Sequence, residues 1–139
     1  MDLALDQNHD ISFSDTGHLV TVTGPALVAQ RIKVALNTQL GEWLLDTGAG
    51  FDWLGTVFVH APSLPLIRAR LAVLLRAVPG VTRLQKLELA VDGKTRRLEV
   101  SFAVVTTEGV LEATGEQTDA AGAMLVLLFR SGGVLIAGV

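Results

Sequence analysis

The stretch that decides the fold is LELAVDGKTRRLEVSFAV, residues 87–104. Apolar side chains occupy every second position on both sides of Asp92-Gly93, a dipeptide typical of tight hairpin turns. Strict alternation places the apolar residues of a strand on one face of a sheet. The stretch therefore predicts a β-hairpin with one apolar face.

A first helix is predicted upstream of the hairpin, from Ala26 to about Leu40. Thr23 is a candidate cap, Pro25 suits a first helical turn, and Gly41 is placed to end the helix. The predicted apolar stripe consists of Val28, Ile32, Ala35 and Leu36, and the residues predicted to face away from it are Gln30, Lys33 and Asn37.

A second helix is predicted to run from Ser63, its candidate cap, to Pro79-Gly80. Pro65 lies in its first turn. The apolar residues at helical spacing are Leu64, Ile67, Leu71, Leu74 and Val78.

Both ends of the chain show shorter apolar runs. Residues 3–5, 11–13 and 19–22 predict short strands or an extended arm. After Thr107 the chain is Gly-rich and apolar, and residues 124–129 and 134–137 are either two more strands or a tail that is ordered only by a partner.

The fold class predicted from these elements is α+β. We expect a single domain over residues 1–106, in which a small antiparallel or mixed sheet packs against two main helices. Residues 107–139 are expected to form an apolar, Gly-rich C-terminal extension, as a further hairpin or a partner-binding tail. The 139 residues, half of them apolar, are enough for one domain with a core.

Composition narrows the function classes. The chain has no cysteine, which excludes disulfides, thiolate metal sites and cysteine nucleophiles. The acidic residues 1–10 lack the basic and apolar regions of a secretory signal, so we expect synthesis in a cytoplasm. No uninterrupted apolar run approaches the roughly 20 residues of a membrane-spanning helix, and no membrane partner is predicted.

Charge is unevenly distributed along the chain. Residues 67–97 carry eight Lys or Arg against two acids, whereas residues 1–66 carry seven acids against two bases. A basic cluster is one signature of a phosphate-binding surface. Aromatic residues for base stacking are sparse and the pI is about 5.5. We therefore expect charged segments to pair within the fold or between neighbouring subunits, and predict no nucleic-acid partner.

No cofactor or metal is predicted. His9, His18 and His60 are far apart in sequence, whereas a metal site needs three or four converging ligands. The chain also lacks the serine-nucleophile, phosphate-loop and dinucleotide-binding patterns.

The most unusual segment is GEWLLDTGAGFDWLG, residues 41–55. Its glycines and its two tryptophans, Trp43 and Trp53, fit neither a helix nor a long strand. The residues of this segment predicted to shape an interface or its supporting core are Glu42, Trp43, Asp46, Phe51, Asp52 and Trp53.

The same segment permits one enzymatic hypothesis, a peptidoglycan-cleaving lysozyme that uses Glu42 as its acid. Glycosidases use two carboxylates about 5 to 9.5 Å apart. An extended chain separates Glu42 from Asp46 by roughly 13 Å, outside that window, whereas Asp52 would have to fold back. We therefore predict no catalysis and keep the lysozyme as the alternative.

Four short motifs carry a resemblance to a known family. They are Asn8-His9-Asp10-Ile11, Gly24 to Gln30-Arg31-Ile32, Gly41-Glu42-Trp43-Leu44-Leu45-Asp46 and Gly50-Phe51-Asp52-Trp53. In this order, over roughly residues 1–106, the chain resembles the small baseplate wedge proteins of Mu-like phages. These belong to a wedge superfamily that includes the T-even phage protein once described as a tail lysozyme.

The resemblance implies a structural subunit of a contractile phage tail baseplate. Such a subunit would be present in several copies in a ring around the tail hub, bind larger wedge proteins and tail hub or tube-associated proteins, and help to seed the sheath. It would be located in the virion tail baseplate and assembled in the host cytoplasm. The superfamily has a Glu-Pro-Arg turn where this chain has Glu42-Trp43-Leu44, so only the glutamate carries over.

Overall fold

The structure is a computed structural model. It describes residues 2–6, 10–41, 43–48, 50–52, 63–92, 97–107, 109–118, 126–131 and 134–135. The helices are α1 (Gly24–Asn37) and α2 (Leu64–Ala77). The strands are β1 (Asp2–Leu3), β2 (Thr21–Val22), β3 (Val81–Asp92), β4 (Arg97–Thr106), β5 (Gly109–Thr118), β6 (Val126–Ser131) and β7 (Val134–Leu135).

The main sheet is an antiparallel meander in the order β3-β4-β5-β6-β7. The predicted hairpin forms its first two strands, and Leu87 lies opposite Phe102. Side chains alternate between the two faces of the sheet along β4. The buried residues on one face are Leu98, Val100, Phe102 and Val104. The hairpin prediction is confirmed, with β3 beginning six residues earlier than the strictly alternating stretch.

One hydrophobic cluster holds both helices against the sheet. α1 contributes Ile32 and Leu36, and α2 contributes Ile67, Leu71 and Leu75. α2 packs against β3, while α1 contacts β5 and β6. The predicted α+β class, with two helices packed on an antiparallel sheet in a single domain, is confirmed.

The helices differ from the predictions in their capping hydrogen bonds, in the end of α1 and in the exposure of Leu64. Thr23 and Ser63 occupy the N-cap positions, but neither side chain makes a capping hydrogen bond. α1 ends at Asn37 and not at Gly41, because Thr38 turns to extended backbone and pairs with Phe51. Leu64 is exposed rather than core-facing, because it is the first residue of α2.

Residues 2–6 and 10–22 form a small unit in which three extended segments pair with one another in a closed cycle. The Ala4 amide donates to the Val20 carbonyl at 2.8 Å, Ser12 to Ala4 at 2.9 Å, and Val20 to Ser12 at 3.1 Å. These residues recur at a spacing of eight. That spacing is a weak repeat which the sequence analysis missed, because the intervening residues share little.

The strands after residue 106 continue the same sheet. β5 pairs with β4 along its whole length, and β6 pairs with β5. The extension supplies Leu111, Ala113 and Phe129 to the buried residues. The division of the chain into residues 1–106 and 107–139 stays a prediction.

Candidate interaction surface

After α1, the described residues 38–41, 43–48 and 50–52 form a loop whose base is closed by backbone hydrogen bonds. The Phe51 amide donates to the Thr38 carbonyl at 2.8 Å, and the Leu40 amide donates to the Phe51 carbonyl at 3.0 Å. The Phe51 side chain is 3% exposed and belongs to the core. Because its base is fixed, this loop, residues 38–52, presents its tip in a defined place.

Gly50 is required at the loop base by direct contact. Its φ is +96°, and a Cβ on it would lie 2.3 Å from the Thr38 carbonyl oxygen. Real Cβ atoms essentially never approach another atom so closely. A glycine is therefore needed for the chain to close against the end of α1.

Asp52 connects the segment that follows α1 to α2. Gln39 Nε2 donates to Asp52 Oδ1 at 3.1 Å, and Arg70 of α2 lies 3.8 Å from Asp52 Oδ2. This carboxylate is thus engaged in holding the segment that follows α1 beside α2.

The loop tip exposes three consecutive apolar side chains. Trp43 is 52% exposed, Leu44 89% and Leu45 85%. The Asp46 amide donates to the Trp43 carbonyl at 3.1 Å, and Asp46 Oδ1 accepts the Gly48 amide at 3.1 Å. Asp46 therefore orders the turn that holds the leucines away from the core. The three side chains form an exposed apolar group, which makes the loop tip a candidate interaction surface.

A groove of about 740 Å³ opens beside the loop tip. Its walls come from α1, the end of α2, the loop, and Asp2 of β1. The apolar lining residues include Val34, Ala35, Trp43, Leu74 and Val78. Trp43 belongs to both features, so loop tip and groove make one continuous candidate surface.

Gln30 and Arg31 connect the N-terminal unit to this surface. Gln30 Oε1 accepts the Leu5 amide and Gln30 Nε2 donates to the Leu3 carbonyl, both at 2.9 Å. Arg31 Nε lies 3.1 Å from Asp2 Oδ2, and Arg31 Nη1 donates to the Pro79 carbonyl at 3.3 Å. The pair thus holds the first segment on α1.

Gln30 is not part of the hydrophobic core cluster, but it is buried, which the helical pattern did not predict. Its side chain is 8% exposed, because the N-terminal strand covers that face of α1. A buried amide is stable only when its donors and acceptors are paired, and the strand backbone supplies both partners. The helical pattern did not predict the burial of Gln30, because it contains no information on hydrogen-bond partners 25 to 27 residues away.

We expect Gln30→Met to release the first segment from α1. Methionine keeps the length but leaves the Leu3 carbonyl and Leu5 amide unpaired, which we expect to cost about 2 kcal/mol. Hydrogen exchange of the Leu5 amide should accelerate, while the Ala4 amide, bonded to Val20, stays protected. Asp2→Asn is the control, since an exposed ion pair contributes about 0 to 1 kcal/mol. Equal effects of the two changes would contradict the role given to Gln30.

Several predicted residues lie outside the described ones: Glu42, Trp53, Asn8, His9 and His60. Because Glu42 is outside the described residues, no pair of carboxylates that includes it supports the lysozyme hypothesis. Within the part of the chain that is described, no group of three His, Asp or Glu side chains is placed to hold a metal. No helix among the described residues is long and apolar enough to cross a membrane.

The described residues thus form an α+β domain with an exposed apolar loop tip, an adjoining groove and an extended antiparallel sheet. Residues 1–109 match the family described as contractile injection system sheath initiator, and the chain belongs to that family. A comparison with individually curated proteins gives no match. The family assigns a structural role in sheath initiation, and with it a contractile tail or baseplate location.

Proposed function

We propose that this sheath initiator is a wedge subunit of a contractile tail baseplate, of the kind found in Mu-like phages. It docks on larger wedge proteins through residues 43–45 and the adjoining groove. Its sheet takes up an extended segment of the first sheath subunits. Several copies surround the tail hub or tube-associated proteins, and assembly takes place in the host cytoplasm.

The observation that carries the wedge contact is the pair Leu44 and Leu45, each more than four-fifths exposed on a loop with a fixed base. Exposing two adjacent leucines is unfavourable in water, so a surface of this kind is expected to be covered in the assembled particle. Because Phe51 and Gly50 hold the loop base, little ordering is required when a partner binds.

Sheath seeding is supported by the sheet. An extended segment that joins a sheet edge binds mainly through backbone hydrogen bonds, so it tolerates differences in side chains between an initiator and a sheath subunit. In this chain the five-stranded antiparallel sheet is the element that would receive such a segment.

The wedge assignment is tested by co-purification. The chain is expressed with its genomic neighbours, recovered by a tag, sized by light scattering, and its companions are identified by mass spectrometry. We expect a complex of defined mass that contains a larger tail protein. Recovery of the chain as a lone monomer in the presence of all its neighbours would overturn the assignment.

A further inference from the structure

The part of the chain that matches the family ends where β5 begins. The match covers residues 1–109, and β5 starts at Gly109. The matched part therefore includes β3 and β4 but not the strands beyond them. Along β4, the edge away from β3 is covered over ten residues by β5 of the same chain.

β5 contributes less to the core than the strand it covers. Among the residues of β5 whose side chains are described, Leu111 and Ala113 are buried, and only Leu111 has a large side chain. Gly115 lies opposite Val100. β4 places four large apolar side chains on the same face. Alanine and glycine are depleted in strands, because they give a sheet little to pack against. β5 is thus held on β4 chiefly by backbone hydrogen bonds.

Phe129 of β6 fastens the extension across this weak strand. Phe102, Ala113 and Phe129 are register partners in one row across β4, β5 and β6. The small side chain of Ala113 lets the two rings meet over it, edge to face, with centroids 6.3 Å apart and an interplanar angle of 76°. One aromatic contact therefore links the extension to the family-matched core.

The opposite edge of the sheet is built to discourage pairing. β3 has register irregularities between Val81 and Arg83 and between Leu84 and Lys86. Arg83 and Lys86 are exposed there. Bulges and cationic side chains are the features with which proteins protect an edge strand from other chains.

We propose that β5 is a placeholder on β4, exchanged during assembly for an extended segment of a neighbouring sheath subunit. This inference rests on the proposed function. The incoming segment forms the same ten-residue ladder of backbone hydrogen bonds on β4 as β5 does. The difference in side-chain packing therefore decides which strand pairs with β4. The incoming segment carries larger apolar residues at alternate positions than β5 does, and binds over Val100, Phe102 and Val104. Until then, the extension keeps this edge from pairing with a second copy of the chain.

A reversible cross-link between β4 and β5 tests the exchange. Ser101 and Thr114 are direct partners on the face of the sheet away from the buried row. Opposed residues in antiparallel strands have Cα separations of about 4.5 to 5.5 Å, within the range that a disulfide spans. The chain has no cysteine of its own, so Ser101→Cys with Thr114→Cys creates a single possible bond.

A matched control uses the same β4 position. Ser101 is also the partner of Glu88, so Glu88→Cys with Ser101→Cys locks β3 to β4 and leaves β5 free. Each oxidised and reduced protein is added to baseplates assembled from the genomic neighbours, with purified sheath subunit. Sheath-bearing particles are counted by electron microscopy.

We expect the oxidised β4–β5 lock to reduce sheath-bearing particles at least tenfold, and reductant to restore them, while the β3–β4 lock has no effect. Equal numbers of sheath-bearing particles with the two oxidised proteins would contradict the exchange of β5 and place the incoming segment on another edge. If the unmodified chain co-purifies with no tail protein and supports no sheath, the proposed function itself fails. If the chain co-purifies with tail proteins and the oxidised β4–β5 lock still supports sheath assembly, only the placeholder role of β5 is rejected.

Discussion

Replacing Gly50 by alanine is expected to lower the free energy of unfolding by about 3 kcal/mol. The added Cβ would lie 2.3 Å from the Thr38 carbonyl oxygen, so the backbone on one side has to move. A movement there breaks the Phe51–Thr38 hydrogen bond and pulls the Phe51 ring, 3% exposed, from the core. Urea denaturation followed by tryptophan fluorescence measures the change.

Gly41 provides the matched control within the same loop. Its φ is +85°, but a Cβ there would have nothing within 4 Å. Gly41→Ala therefore adds only the strain of a left-handed backbone, about 1 kcal/mol. Equal losses in the two variants would show that conformation, and not the contact with Thr38, explains the glycine at position 50.

The hairpin and the two helices were predictable because their signals are local. Alternation on both sides of Asp92-Gly93 predicts the two strands, and Pro79-Gly80 lies where the chain passes from α2 into β3. Gly80 has a φ of +97°, and a Cβ on it would lie 2.8 Å from Val28 Cγ2. Local sequence therefore sets the turn, whereas the close approach of Val28 in α1 is a long-range contact that only the structure shows.

Features that depend on partners distant in sequence were not predictable. Gln30 reads as a surface residue because its partners, Leu3 and Leu5, lie in another element. The contact between Phe102 and Phe129 requires knowledge of the registers on both sides of Ala113. A strand pattern gives the face on which a side chain lies but not the residue opposite.

The candidate surface was predicted only as a segment. Residues 41–55 were identified from their glycines and tryptophans, but those signals do not separate residues that hold the loop from residues that face a partner. In the structure, Phe51 and Asp52 hold the base and Asp46 orders the turn. Leu44 and Leu45, absent from the predicted set, are the most exposed.

Converting Leu44 and Leu45 together to serine is expected to weaken binding to the larger wedge protein roughly 100-fold. Burying a leucine stabilises a complex by about 1.5 to 3 kcal/mol, so losing two corresponds to at least about 3 kcal/mol. Stability of the isolated chain should not change, because both side chains are already in solvent. Calorimetric titration of the purified partner, with parallel urea denaturation, separates binding from folding.

Val73→Ser tests whether the loss of any exposed apolar side chain weakens binding to the wedge protein. Val73 is 66% exposed on α2 and does not line the groove. If the loop tip is the contact, this change leaves the affinity intact while the double leucine change removes most of it. Unchanged affinity in the leucine variant would instead move the wedge contact away from the loop. The glycine at position 50 would then be explained by packing alone, since it would no longer hold a binding site in place.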